Sequence, residues 1–135
     1  MEIIRWIDNY SVNISEIDNQ HKRLVTLLNN LYAAMSVGEG KNILSGIIDE
    51  LSEYTSTHFR TEEVKMRMLD YPEFVQHKKE HEMFIQKVGA FRADFNKGNA
   101  KVTIEVVNFL RDWLLNHIQE VDARLGKYLV QKGVK

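Results

Sequence analysis

An all-α fold, an up-down-up-down antiparallel four-helix bundle with an N-terminal non-helical arm, is the class this sequence predicts. Three observations carry it. Four segments repeat apolar residues at steps of three and four, the period of an amphipathic helix. No stretch of useful length alternates apolar and polar residues as a half-buried strand does. Short clusters with glycine, proline or asparagine separate the four segments, and short connections make sequential helices antiparallel neighbours.

Each element follows from its residues. Residues 1–14 form the arm, rich in Ile3, Ile4, Trp6, Ile7, Tyr10, Val12 and Ile14, and are expected to pack on the body. Ser15 with Asp18 reads as an N-cap followed by a first-turn acid. The first helix, about 16–37, carries Ile17, His21, Leu24, Leu27, Leu28, Leu31 and Met35, and Gly38 and Gly40 end it. The second, about 42–68, carries Leu44, Ile47, Ile48, Leu51, Tyr54, Thr55, His58 and Glu62, and 70-DYP-72 breaks it. The third, about 72–96, opens with Pro72 in its first turn. Its stripe is Phe74, His77, His81, Phe84, Ile85, Val88, Phe91 and Phe95, and 96-NKGN-99 stops it. The fourth, about 102–129, carries Val106, Phe109, Leu110, Trp113, Leu114, His117 and Val121, with Gly133 beyond. At 135 residues the chain is expected to be one domain, 1–135.

Composition narrows the function. Net charge is −1 and lysines and arginines are interspersed with acids, so no nucleic-acid or membrane-surface field is expected. No run of about 18 apolar residues occurs to span a membrane. The N-terminus has no secretory apolar run. Cysteine is absent, which removes thiolate ligands and thiol catalysis and suits a reducing, cytoplasmic setting.

The five histidines, His21, His58, His77, His81 and His117, all fall on the apolar stripes and so face one core. Buried imidazoles need partners, and leaving each unsatisfied costs about 1–3 kcal/mol. A metal centre accounts for them together. Glu62, four residues after His58, lies about 40° from it around the helix. Asp122, five residues after His117, lies about 140° away in ideal geometry. Either the helix widens locally, as in a π-bulge, or Asp122 approaches along another line. Glu63, Glu80, Glu82 and Glu120 read as solvated. Imidazole with carboxylate suits zinc, iron, copper or nickel, but seven ligands exceed one tetrahedral zinc. Two octahedral metals offer twelve positions. Five imidazoles, two bridging carboxylates and a bridging solvent oxygen fill eleven, leaving one for a small ligand. HExxH is absent, since position 85 after 81-HE-82 is isoleucine, which removes a zincin protease.

The segments 18-DNQHKRL-24, 58-HFRTEE-63, 71-YPEFVQHKKEH-81 and 113-WLLNHIQEVD-122, with Trp6 and Tyr10 of the arm, resemble the hemerythrin family, specifically its single-domain bacterial members. The likeness spans roughly residues 5–130, and no ligand position is substituted. It implies two non-haem iron ions with a bridging oxo or hydroxo group. It implies that His77, His81 and His117 hold one iron and His21 and His58 the other, with Glu62 and Asp122 bridging. It further implies reversible O2 binding, as hydroperoxide, at the single open position, for carriage, storage or sensing. Nitric oxide or small anions are further candidates for that position. Leu24, Phe59, Trp113, Leu114 and Ile118 match positions that line the family's ligand pocket. The expected role is binding rather than catalysis. The alternatives are a di-iron enzyme acting on peroxide or nitric oxide, and an O2 or redox sensory module acting through a protein partner. Ferritin-like enzymes rely on several glutamates and Glu-x-x-His motifs, whereas this set is rich in histidine.

Overall fold

The computed structural model describes residues 5–7, 10–98 and 101–135. Four helical rods run through it, and no strand occurs among the described residues. The first rod is α1 (Ser15–Ser36). The second joins α2 (Gly40–Tyr54), a π-helical stretch π1 (Thr55–Phe59) and α3 (Arg60–Met68). The third is α4 (Phe74–Asn96). The fourth joins α5 (Val102–Trp113), a longer π-helical stretch π2 (Leu114–Asp122) and α6 (Ala123–Gln131). α1 packs on α2 and α5, and α4 on α2, α3 and α5, which closes the four-helix bundle. No described helix is long and apolar enough to cross a membrane.

The apolar stripes meet inside. Leu24, Leu27, Leu28, Leu31, Leu44, Ile48, Leu51, Phe84, Val106, Leu110 and Leu114 are fully buried in one cluster. Each such side chain contributes about 1.5–3 kcal/mol by leaving water. Ile85 departs from its expected place. It is 49% exposed, because it stands about 100° round α4 from Phe84, off the line of His77, His81, Phe84, Val88 and Phe91.

The helix ends differ from the sequence reading in three places. Ser15 is the first helical residue rather than the cap, while Asp18 lies in the first turn as expected. Its carboxylate accepts the Val12 N–H (2.8 Å) and the Ser11 hydroxyl (2.6 Å), which pins the arm. Gly40 opens the second rod instead of ending the first, and it is buried where a Cβ would meet Met35 Cγ at 2.7 Å. Pro72 lies in the turn before α4, not in its first turn. Asp70, at φ +53°, closes α3, with the Tyr71 N–H on the Met66 carbonyl (2.9 Å). A further bond from the Phe74 N–H to the Tyr71 carbonyl (3.2 Å) closes the turn around Pro72, so regular helix begins at Phe74.

The arm packs as its composition requires. Val12 and Ile14 are buried against Ile17, Met66, Tyr71, Leu125 and Leu129, while Trp6 and Tyr10 lean on the main core. Gly126 makes the approach possible, since a Cβ there would stand 2.6 Å from Val12 Cβ. Ile7 of the arm is 45% exposed. Ile3 and Ile4, and Asn99 of the third connection, lie outside the described residues.

Candidate metal centre

The seven polar residues singled out by the sequence come together. His21, His58, Glu62, His77, His81, His117 and Asp122 are each no more than 2% exposed. α1 supplies His21, π1 His58, α3 Glu62, α4 His77 and His81, and π2 both His117 and Asp122. The two open readings of Asp122 are now separated. The fourth rod is π-helical from Leu114 to Asp122, and the wider turn brings position five residues on back to the same face. His117 Nε2 stands 3.1 Å from Asp122 Oδ1. The π-helical stretch at Thr55–Phe59 had no signal in the pattern; it sets His58 just ahead of Glu62, at 3.4 Å.

Two overlapping sets of donor atoms result, each with its atoms within 4.8 Å of one another. One comprises Glu62, His77, His81, His117 and Asp122; the other comprises His21, His58, Glu62 and Asp122. Both carboxylates belong to both sets. Glu62 Oε1 lies 3.0 Å from His81 Nε2 and 3.4 Å from His77 Nε2. Asp122 lies 2.9 Å from His21 Nε2 and 2.9 Å from His77 Nε2.

Three of the imidazoles are turned by partners on their outer nitrogens. His58 Nδ1 donates to Gln20 Oε1 (2.6 Å), His81 Nδ1 to Glu63 (3.0 Å) and His117 Nδ1 to Glu80 (2.9 Å). A proton held at Nδ1 leaves a bare lone pair at Nε2, aimed inward. Glu63 and Glu80 therefore correct the sequence reading. They are not merely solvated; their carboxylates orient ligand candidates. Nothing local marks them, because their partners lie 18 and 37 residues away. Glu82 and Glu120 are exposed, as expected.

His81 Nε2 meets Glu62 Oε1 at hydrogen-bond distance (3.0 Å), but most inner atoms crowd without bonding. His77 Nε2, His117 Nε2, Glu62 Oε2 and both Asp122 oxygens have no hydrogen bond of acceptable angle among the described residues, although several approach within 3.1 Å. His21 Nε2 and His58 Nε2 face each other at 3.1 Å. Lone pairs converging in a dry core are costly unless a cation lies between them. The electrostatics agree. Burial lowers His77, but the close carboxylates of Asp122 and Glu62 outweigh it and lift the group to about 10. Burial likewise lowers His117, and Asp122 and Glu80 lift it to about 9. Burial takes His58 down to about 3 against the pull of Glu62. Burial raises both carboxylates, and repulsion from Asp122 adds to this at Glu62, but the surrounding histidines outweigh it and hold both below the usual range. The protein groups alone thus draw positive charge to this point. Five imidazoles and two carboxylates, without thiolate, fit a pair of iron ions.

Aromatic rings wall the site. Phe59 stacks on His81 (3.8 Å, 4°) and Trp113 on His117 (3.9 Å, 13°). Leu24, Leu114 and Ile118 are fully buried in the same cluster.

The family description "Hemerythrin HHE cation binding domain" matches residues 12–129. The chain belongs to the hemerythrin family. Among hemerythrin relatives, the bacteriohemerythrin of Pseudomonas aeruginosa (strain LESB58) is 40% identical over 118 residues, 87% of this chain and 76% of that protein. The bacteriohemerythrin of Methylococcus capsulatus (strain Bath) is 32% identical over 130 residues, 96% of this chain and 98% of that one. Myohemerythrin-1 of Phascolopsis gouldii is 31% identical, covering 88% of each. The fold agrees: a wild-type hemerythrin crystal structure superimposes with a TM-score of 0.83 at 30% identity, covering 94% of this chain and 98% of that one.

Proposed function

We propose that this hemerythrin-family chain binds O2 reversibly at a non-haem di-iron centre, with His21, His58, Glu62, His77, His81, His117 and Asp122 as its protein ligands. The carrying observation is the pair of buried donor sets that share both carboxylates. A carboxylate common to both sets could offer one oxygen to each of two cations, so Glu62 and Asp122 would be the ligands held in common. Reduced iron held there would supply the electrons that O2 takes up on binding and returns on release.

The chain's own residues do the rest. His77, His81 and His117 would hold one metal and His21 and His58 the other, so a small ligand would be received beside His21 and His58. Gln20, Glu63 and Glu80 hold the outer protons of His58, His117 and His81 at Nδ1, Gln20 on His58, Glu63 on His81 and Glu80 on His117. Leu24, Phe59, Trp113, Leu114 and Ile118 keep bulk water from the open position. A dry pocket slows charge separation, because ions leaving it are poorly solvated. The same dryness favours binding over turnover. The chain acts on a diffusing gas and works away from membranes and nucleic acid, in the cytoplasm.

One experiment decides it. The iron-loaded protein is reduced without oxygen, exposed to O2 and then deoxygenated. A visible charge-transfer band that appears and then disappears is the expected result. Multiple turnover of peroxide or nitric oxide, without such a band, would overturn the reading.

A further inference from the structure

Tyr54, the last residue of α2, is not among the seven ligand candidates, yet its ring stacks on His58 (4.9 Å, 21°). It also touches Phe59 (5.8 Å) and Phe84 (5.9 Å). The residue is 6% exposed, and its phenol oxygen is buried with no hydrogen-bond partner among the described residues. The indole nitrogen of Trp113 is in the same condition, in a residue 9% exposed. Trp113 lies close enough to the Tyr54 phenol to lower its pKa, but neither polar atom has a hydrogen-bond partner among the described residues. Two polar hydrogens therefore sit together in an apolar wall, one ring lying on His58 and the other on His117. Burial, then the charges of Asp122 and Glu62, push the phenol well above its ordinary pKa, so it keeps its proton. Native cores rarely leave buried donors unpaired, and such exceptions call for an acceptor from outside the fold. Tyr54 and His58 also line a depression of about 190 Å³ that includes Gln20, Arg23 and Thr57. The Tyr54 ring thus stands between that depression and the dry site.

We infer that Tyr54, assisted by Trp113, is a hydrogen-bond donor to the small acceptor ligand held beside His21 and His58. The inference rests on the proposed open position at that half of the centre. The ligand class is a small molecule with an acceptor atom that projects into the apolar wall, such as dioxygen or azide. The phenol and indole hydrogens lie unpaired until that atom arrives. Ligand affinity then contains a hydrogen bond that the unliganded protein lacks.

The test compares the iron-loaded wild-type chain with Tyr54→Phe and Trp113→Phe. Azide affinity is titrated on the oxidised protein, and O2 release is timed on the reduced protein. Tyr54→Phe weakens azide and speeds O2 release by about tenfold, the size of one hydrogen bond. Trp113→Phe moves both in the same direction by less. The thermal midpoint of unliganded Tyr54→Phe equals or exceeds that of wild type, because the substitution removes a buried hydroxyl with no partner. Ligand constants within twofold of wild type overturn the inference, as does a lower midpoint with unchanged constants, the mark of a purely structural tyrosine. If Tyr54→Phe takes up iron poorly, wild type alone suffices. The vibrational band of bound azide shifts in D2O when O–H or N–H donates to it, and an unshifted band refutes the donor pair. Failure of wild type to hold two irons would instead refute the proposed centre itself.

Discussion

The half of the centre built by His77, His81 and His117 and the half built by His21 and His58 differ in what stands behind the rings. Behind His81 and His117 are carboxylates, Glu63 and Glu80. Behind His58 is the neutral amide of Gln20. That amide is itself fixed, since its nitrogen donates to Thr61 Oγ1 (3.2 Å) and the Thr61 hydroxyl donates to the Thr57 carbonyl (2.8 Å). A carboxylate acceptor draws the Nδ1 proton and enriches the imidazole; an amide does so less. Two sites with the same kind of ligand atom are thereby unequal. The three-histidine half is held tightly and electron-rich. The two-histidine half is the weaker donor set, and it is the half proposed to take the ligand.

The comparison breaks most completely at a residue common to both halves. Asp122→Ala removes the carboxylate shared by His21, His77 and His117. Outer partners of a metal ligand already contribute about 10–100-fold to affinity, so loss of this bridge weakens iron retention by more than about 100-fold. Iron analysis after dialysis against a chelator measures it; retention of two irons would refute the bridging role. The next largest effect removes the asymmetry from behind. Glu63→Gln with Glu80→Gln makes all three outer acceptors neutral and lowers iron affinity by about 10–100-fold, read by chelator competition. The reverse swap, Gln20→Glu, makes His58 resemble His81 and shifts the reduction potential to lower values, read by redox titration.

A pH series sharpens the comparison without mutation. In the iron-stripped protein His77 is lifted to about 10 and His117 to about 9, above the ordinary 6.5. A raised folded-state pKa contributes stability that is full below 6.5 and is lost as pH rises through 9 to 10. The urea midpoint of the stripped chain therefore falls between pH 7 and pH 10. Iron requires both rings neutral, so iron uptake releases protons and strengthens over the same rise. A urea midpoint that climbs toward pH 10 would contradict this. The smallest effect on the centre comes from its apolar wall. Leu114→Ala opens the fully buried pocket and speeds decay of the oxygenated form by a few fold, followed by its visible band. Equal decay in mutant and wild type would show that this wall does not guard the site.

Much of this was legible in the chain as written. The four rods and the inward faces of His21, His58, His77, His81 and His117 follow from periodicity, and periodicity is a local property of the backbone. Glu62 follows too, since four residues after His58 is the same face. Asp122 was only half legible, because its spacing named a conflict that a π-helical stretch or another approach could resolve.

The rest depended on how the rods sit against one another. Glu63 and Glu80 carry the chemistry of surface acids, and only the rotation and axial offset of the second, third and fourth rods bring them behind His81 and His117. The same holds for Gln20 behind His58 and for the unpaired Tyr54 and Trp113. The amino-acid order determined which faces turn inward, because burial of an apolar stripe is decided residue by residue. Only the tertiary structure decided which polar groups meet across the bundle. Those contacts join residues as far apart as His21 and Asp122, and no local rule relates the turns of one helix to the turns of another.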